Sequence, residues 1–452
     1  MRKILNYTLC LGLMTATLSC ESFLDEKPIS ALGDNGFYQN DGEVEAAVYA
    51  IYDGLQEVVQ EEYALTEMRS DNSGTKNSEG EWAQFENLNI DINNSVVARY
   101  WANYYKVIFR ANTILENLDA VKDESLRQQF EGEAKFARAM GHFYLVSLFG
   151  DIPLIDKVVY TSNQEAFARV ASSAVYTAIT NDLTEAAALL LDRGAVAEGR
   201  ATKGAAQALL AKVYLTQGMY AEAKGLLDAL MSSGSYALVD DFNDVFYNEL
   251  NDEIIFAIQY LDDNEAESQI FSLEFTALGK ASGLNYATND LQDLYVAEDL
   301  RLATTLTEDK RATAKFLTQS SNAELCGNDW IVLRYSDVLL MYAEAILAGG
   351  NATTDAAALS AVNAVRARAG LADLTEVTKE NLLLERRLEF AFENQRWFDL
   401  QRFGVAEQVL SAFAQAEGFT FEPTSLLLPI PQREINVSSG LLEQNPGYAG
   451  GN

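Results

Sequence analysis

Histidine, cysteine, proline and positive charge are all scarce in this chain. Its 452 residues include one histidine, three cysteines and six prolines. The single histidine, His142, removes most zinc-binding spacings and would have to serve alone in any Ser-His-Asp or Cys-His arrangement. It stands inside the apolar helical stretch Phe136 to Leu145, so it reads as a packed helix residue. No calcium-loop spacing of the Asp-x-Asp-x-Asp-Gly type is present, and neither a metal nor a cofactor is expected. Cys10 and Cys20 lie near the N-terminus, which leaves Cys326 alone and without an internal disulfide. A lone buried thiol is the reading for Cys326, and stability must come from packing. Only 33 lysines and arginines face 66 acidic residues, for a formal charge of −33. Such a surface repels phosphate backbones and discourages wide contact with anionic headgroups, so no nucleic-acid partner is expected. A local basic pocket for an anionic ligand is still compatible with it. After residue 20 no segment is long and apolar enough to span a bilayer.

What is present begins at the N-terminus. Arg2 and Lys3 precede an apolar run from Ile4 to Leu18, and Ser19 precedes Cys20. A basic start, a short apolar core and a small residue before a cut form a secretion signal. The run has 15 residues, fewer than the roughly 20 that a spanning helix needs. The reading is a signal peptide over 1–19, lipidation of Cys20, and a tether over 20–40. Thr17 departs from the leucine usual three residues before such a cysteine. An ordinary cleaved signal and an unmodified cysteine are the alternatives. Loss of Arg2 and Lys3 with the signal takes the charge from −33 to −35.

Hydrophobic residues make up 48% of a chain longer than one conventional core, so two domains or a repeat architecture is expected. Trp101, Tyr104, Ile108, Ala111, Leu115 and Leu118 form one helical stripe, and Val175, Ile179, Leu183, Ala186 and Leu190 repeat it. From Ala205 to Leu230, small Ala211 and Ala223 permit close helix approach, Gly218 relaxes a turn, and Tyr214 and Tyr220 fill the angle. This resembles a tetratricopeptide hairpin. A looser copy runs from Tyr342 through Gly349-Gly350-Asn351 to Arg368, with Thr354 as the expected N-cap. One hairpin cannot bury its own apolar face, so stacked neighbours are implied. The fold class is therefore mainly α, a tetratricopeptide-like helical-hairpin superhelix with an irregular, partly β insertion. Its divisions are helical regions at 41–234 and 331–420, an insertion at 235–330 with a strand over Ile254 to Tyr260, and a surface-wrapping tail at 421–452 rich in proline.

Several stretches together resemble the SusD/RagB family of outer-membrane nutrient-binding lipoproteins. They are Glu133 to Ala139 running on to Leu148-Phe149-Gly150-Asp151-Ile152-Pro153-Leu154, then Leu333 to Ala345, Glu385 to Glu393 with Gln395 to Leu400 and Arg402, and Leu428 to Asn436 with Asn445-Pro446-Gly447-Tyr448. The opening from Cys20 to Pro28 fits too. The resemblance implies four tetratricopeptide-like helix pairs and a lipid-anchored location on the outer face of the outer membrane. It implies a TonB-dependent, SusC-like β-barrel transporter as partner, capture of oligosaccharide or polysaccharide for that transporter, and no enzymatic activity. Peptide capture within the same family and a surface glycoside hydrolase remain alternatives.

By their own physics these motifs are structural. Glu385, Glu389 and Glu393 recur every fourth residue, so their charges repel unless cations answer them. Arg386, Arg387, Arg396 and Arg402 are the nearby candidates, which suggests an ion-paired helix junction; a pair of catalytic carboxylates is the rival reading. For a sugar ligand, flat aromatics match C–H faces and forked polar groups match hydroxyls. Outside the helical patterns, Arg69, Asp71, Asn72 and Trp82 offer that chemistry in one segment. Asn285, Tyr286 and Trp330 offer it in the insertion.

Overall fold

The computed structural model describes residues 36–75, 80–160, 163–276, 283–322 and 324–451. The expected signal segment, Cys20 and most of the tether lie outside the described residues. Eight long helices carry the architecture: α1 (Asp41–Val59), α2 (Ser95–Glu116), α3 (Glu124–Phe149), α4 (Ser172–Leu189), α5 (Lys203–Thr216), α6 (Tyr220–Ser232), α7 (Tyr335–Leu347) and α8 (Ala356–Arg368). Each packs on the next in chain order. The stack passes directly from α6 to α7, so residues 233–334 leave it and return to the same place. This is the tetratricopeptide-like fold class expected from the hairpin spacing.

Local chemistry explains the boundaries. Polar N-caps open the helices, with side chains accepting from free backbone N–H groups: Asn40 for α1, Asn94 for α2, Asp123 for α3 and Thr202 for α5. The cap of α8 is Asp355, which accepts from Ala357 and Ala358, and not Thr354. The carboxylate one residue later is the stronger acceptor at a helix start. Gly218 joins α5 to α6 at φ +72°, a conformation that glycine adopts without strain. Gly141 on α3 lets α2 come close, because a Cβ there would stand 3.0 Å from Ile108.

The stripe residues Trp101, Tyr104, Ile108 and Ala111 are buried, as are Val175, Ile179, Leu183, Ala186 and Leu190. Ala211 and Ala223 are wholly enclosed between α5 and α6. His142 is buried as a helix residue; its Nε2 accepts from the Ile155 N–H at 3.3 Å, and desolvation pushes its pKa down to about 3. Cys326 is a free, buried thiol whose pKa burial raises.

The excursion closes on a two-stranded antiparallel ribbon. Ile254–Ile258 pairs with Trp330–Arg334, and Ile258 stands opposite Trp330. The first strand ends two residues before Tyr260, whose hydroxyl instead donates to the Gln56 carbonyl of α1 at 2.6 Å. After α8 come α9 (Lys379–Glu389), α10 (Arg396–Arg402) and α11 (Ala406–Glu417). The tail is less irregular than its prolines suggest. It holds a short helix at Gln432–Val437 and inserts Leu428 and Ile430 into the core. Pro431 stands just before that helix, where a missing N–H costs nothing.

Candidate functional site

Five of the residues singled out by sequence meet in one polar junction. Residues 69–75 follow the short helix Glu62–Thr66 and form an edge with Ser73–Gly74. That edge pairs antiparallel with Tyr286–Ala287, placing Gly74 opposite Tyr286. Asp71 receives Nε and Nη2 of Arg396, each at 2.8 Å, and lies 3.0 Å from Nη2 of Arg387. Asn72 donates to Oε1 of Glu67 at 2.8 Å and accepts from Nε of Arg387 at 2.8 Å. Asn285, at φ +59°, accepts from the Ser73 hydroxyl at 2.5 Å. The Thr288 hydroxyl adds a bond to the Asp71 carbonyl at 2.9 Å. Arg69 lies deeper, its guanidinium 3.9 Å from the Trp397 ring centre and donating to the Leu65 and Ser425 carbonyls. Burial pushes its pKa down to about 10. Burial alone would raise the Asp71 carboxyl, but Arg387 and Arg396 outweigh it and hold the pKa below its usual value.

These contacts reassign most of the candidates. Arg69, Asp71, Asn72, Asn285 and Trp330 are all buried and engaged by protein partners. None presents open surface to a polymer. A segment without helical period and rich in Arg, Asp and Asn reads as a solvated loop. What the local sequence does not reveal is that Arg387 and Arg396, some 320 residues away, seal it from above.

Trp330 belongs to a second feature, a string of packed rings. Trp82 stacks on Tyr63 at 6.0 Å and 5°. Tyr63 meets Phe275 edge-on at 4.8 Å, Phe275 meets Phe271 at 5.8 Å, and Phe271 meets Trp330 edge-on at 5.2 Å. Phe316 stacks on Trp330 at 5.0 Å. The string ties the segment after α1 to the insertion, and only its Trp82 end is half-open.

Two aromatic candidates thus keep surface. Trp82 stands on the short helix Gly80–Glu86, which packs on Ser73–Gly74, and Tyr286 stands on the strand paired to that edge. Both elements thus contact the Ser73–Gly74 edge, and both side chains are half-buried. A polar rim adjoins Tyr286. The Arg311 carbonyl accepts from Ala287 N–H at 2.8 Å, and Arg311 itself is exposed beside Asp309. Asp290 pairs with Nη1 of Arg387 at 2.7 Å while 67% of its side chain stays open. Open rings beside donors and acceptors can hold a hydroxylated, flat-faced ligand.

The Glu385 repeat is an ion-paired junction, but its partners differ from the expected ones. Glu385 pairs with Arg301 and Arg366, Glu389 with Arg301, Arg334 and Arg368, and Glu393 with Arg334 and Lys315. The nearby arginines answer other acids: Arg386 holds Asp337 and Asp399, and Arg402 holds Glu344 and Asp399. Helix α9 ends at Glu389, so Glu393 reaches the cluster from the following turn, where Phe392 and Asn394 adopt positive φ. Despite burial, Arg368, Arg334 and Arg301 hold the Glu389 carboxyl well below its usual pKa. A general acid needs the opposite shift. Among the described residues no group of three or more histidine, cysteine or acidic side chains is arranged to hold a metal ion.

Comparison with known proteins agrees with this architecture. Residues 306–448 match the SusD family model, and residues 22–215 match a second model described as starch-binding associating with outer membrane. The SusD-like protein P2 of Formosa agariphila is 27% identical, across 98% of this chain and 99% of its own. A laminarin binding SusD-like protein of known structure superposes with a TM-score of 0.78 at 27% identity, covering 91% of this chain and all of the other. The fold is also that of surface glycan-binding protein A from Bacteroides thetaiotaomicron, solved with laminarihexaose, at a TM-score of 0.78 over 90% of this chain and 99% of that one, with 24% identity. The helix-hairpin stack, the sealed junctions and these matches along both halves place the chain in the SusD-like family.

Proposed function

We propose that this protein is a cell-surface glycan-binding lipoprotein. Anchored through Cys20 to the outer membrane, it captures oligosaccharide or polysaccharide and passes it to a TonB-dependent β-barrel transporter of the SusC-like kind. One acyl chain gives only marginal attachment, so the anchor carries more than one. The observation that carries the reading is the division of labour among the candidates. Trp82 and Tyr286 are half-buried on elements that both contact the Ser73–Gly74 edge, whereas Asp71, Arg387 and Arg396 beside that edge are fixed in internal pairs. Open rings beside hydrogen-bonding groups suit binding without bond-making. The 27%-identical relative described as laminarin binding supports the ligand class.

The test uses the soluble form lacking residues 1–20 in affinity gels containing a panel of polysaccharides, laminarin among them. The expected result is retardation by at least one polymer. Trp82→Ala should weaken it about tenfold, the loss of one stacked ring with its buried area, with an unchanged circular dichroism spectrum. Unaltered affinity removes Trp82 from the site. Release of reducing ends by the purified chain would contradict the binding-only reading.

A further inference from the structure

A cleft of about 540 Å³ shares no lining residue with the ring string, and takes Ala257 and Ile258 from the outer end of the ribbon. One wall is α1, from Tyr49 to Gln56; the other is the exit of strand Ile254–Ile258; the floor is the turn at Gly199 and Arg200. We propose that this cleft is a second carbohydrate subsite, shaped for a neutral pyranose.

Three features argue for it. First, Tyr49 is 52% exposed, on a helix whose valine, leucine and isoleucine side chains are all buried. Its ring is steadied by the Arg200 guanidinium, 5.3 Å from its centre. A ring held in place and still open offers a face to sugar C–H groups at little cost in side-chain entropy. Second, the Gln259 side chain is exposed and its amide has no hydrogen-bond partner among the described residues. Its position depends on Gly199, where a Cβ would stand 1.8 Å from the amide oxygen. Gly199 also sits at φ +82°, which disfavours any larger residue there. A free amide offers both a donor and an acceptor to adjacent hydroxyls. Third, the charge in the cleft selects against anions. Nε and Nη2 of Arg200 are taken by Glu133 and Nη1 by Glu45, so no cation is left over. Glu267 carries no cation partner among the described residues, accepts from Gln56 at 3.1 Å, and has lone pairs left for sugar O–H groups. The volume falls in the range of small-ligand sites.

The site is independent of the one proposed above, and so is its test. Protein labelled with 3-fluorotyrosine, with the Tyr49 signal assigned by Tyr49→Phe, is titrated with laminarihexaose, maltohexaose, xylohexaose and oligogalacturonate. The expected result is a saturable shift of the Tyr49 signal with at least one neutral sugar, retained in Trp82→Ala. Gln259→Ala should weaken that response about fivefold, with the remaining fluorotyrosine signals unchanged as the check on folding. A Tyr49 signal unmoved by every neutral oligosaccharide overturns the proposal. An equal response to oligogalacturonate overturns the assignment to neutral sugars. Loss of the Tyr49 response in Trp82→Ala would make the cleft part of the first site and also overturns it. Failure of the Trp82 reading appears separately, in the gels.

Discussion

Asp71 lies in the segment that sequence alone offers as a ligand loop, and its substitution separates a ligand role from a structural one. Its carboxylate is the bidentate partner of Arg396 at 2.8 Å on both oxygens. Both residues are buried, at 5% and 6% exposure. Asp71→Ala leaves the Arg396 guanidinium without those two bonds in a place water does not reach. Arg387 suffers less, because it keeps the Asn72 side chain, the Asp71 carbonyl and Asp290. Breaking one side of a buried pair costs about 3–5 kcal/mol. In urea this lowers the midpoint by on the order of 1 M for a chain of this size. Removing both charges, as Asp71→Ala with Arg396→Met, costs much less than the single change, because no orphan ion remains. The pH dependence follows from the lowered pKa of Asp71. The stabilisation is present above the unfolded carboxylate value of about 3.9 and is lost as pH falls through the lower folded value. Equilibrium urea unfolding of wild type, both single variants and the double variant measures the coupling. A stable Asp71→Ala protein that has lost glycan binding would refute this reasoning and return Asp71 to the ligand.

Glu62 has the opposite sign. Burial pushes its pKa up to about 8, partly offset by Tyr100 and Lys212. The folded state holds a proton that the unfolded state releases above pH 4.5, so this group's contribution falls as pH rises toward 8, by up to about 1.4 kcal/mol per pH unit. Comparing wild type with Glu62→Gln in urea at pH 6 and pH 8 isolates that slope, which the variant should lack. Leu209 is fully buried on α5; Leu209→Ala should cost about 2–5 kcal/mol, seen as a lower urea midpoint with affinity of the folded protein unchanged. Cys20→Ala should leave the protein in the soluble fraction, and retention in washed membranes would count against the lipid anchor.

The scaffold was legible because its signals are local. Stripes such as Val175 to Leu190 bury as their spacing requires, and Gly218 marks the turn between α5 and α6. Thr354 and Asp355 are adjacent competent acceptors, so sequence places the α8 cap only to within one residue, and the stronger carboxylate of Asp355 takes it. The site was harder to read. Trp330 is an aromatic beside Asn328 and Asp329, yet its ring is enclosed by Phe271 and Phe316, neither near it in sequence. The cations facing Glu385, Glu389 and Glu393 arrive from Arg301, Lys315, Arg334, Arg366 and Arg368, and charge spacing along one helix cannot name them. One available signal was the sequence Trp330-Ile331-Val332-Leu333-Arg334, a β-rich run of the same kind as Ile254 to Ile258, which marks the second strand of the ribbon. Tyr49 carried a signal as well, a large ring on the polar side of the α1 pattern.

The most direct measurement is a crystal structure of the soluble form with a polymer that its affinity gel retains. The account predicts a sugar ring over Trp82, with Tyr286 beside it and the Asp71 to Arg396 pair intact beneath. A glycan seated elsewhere, with Trp82 and Tyr286 uncovered, would contradict it.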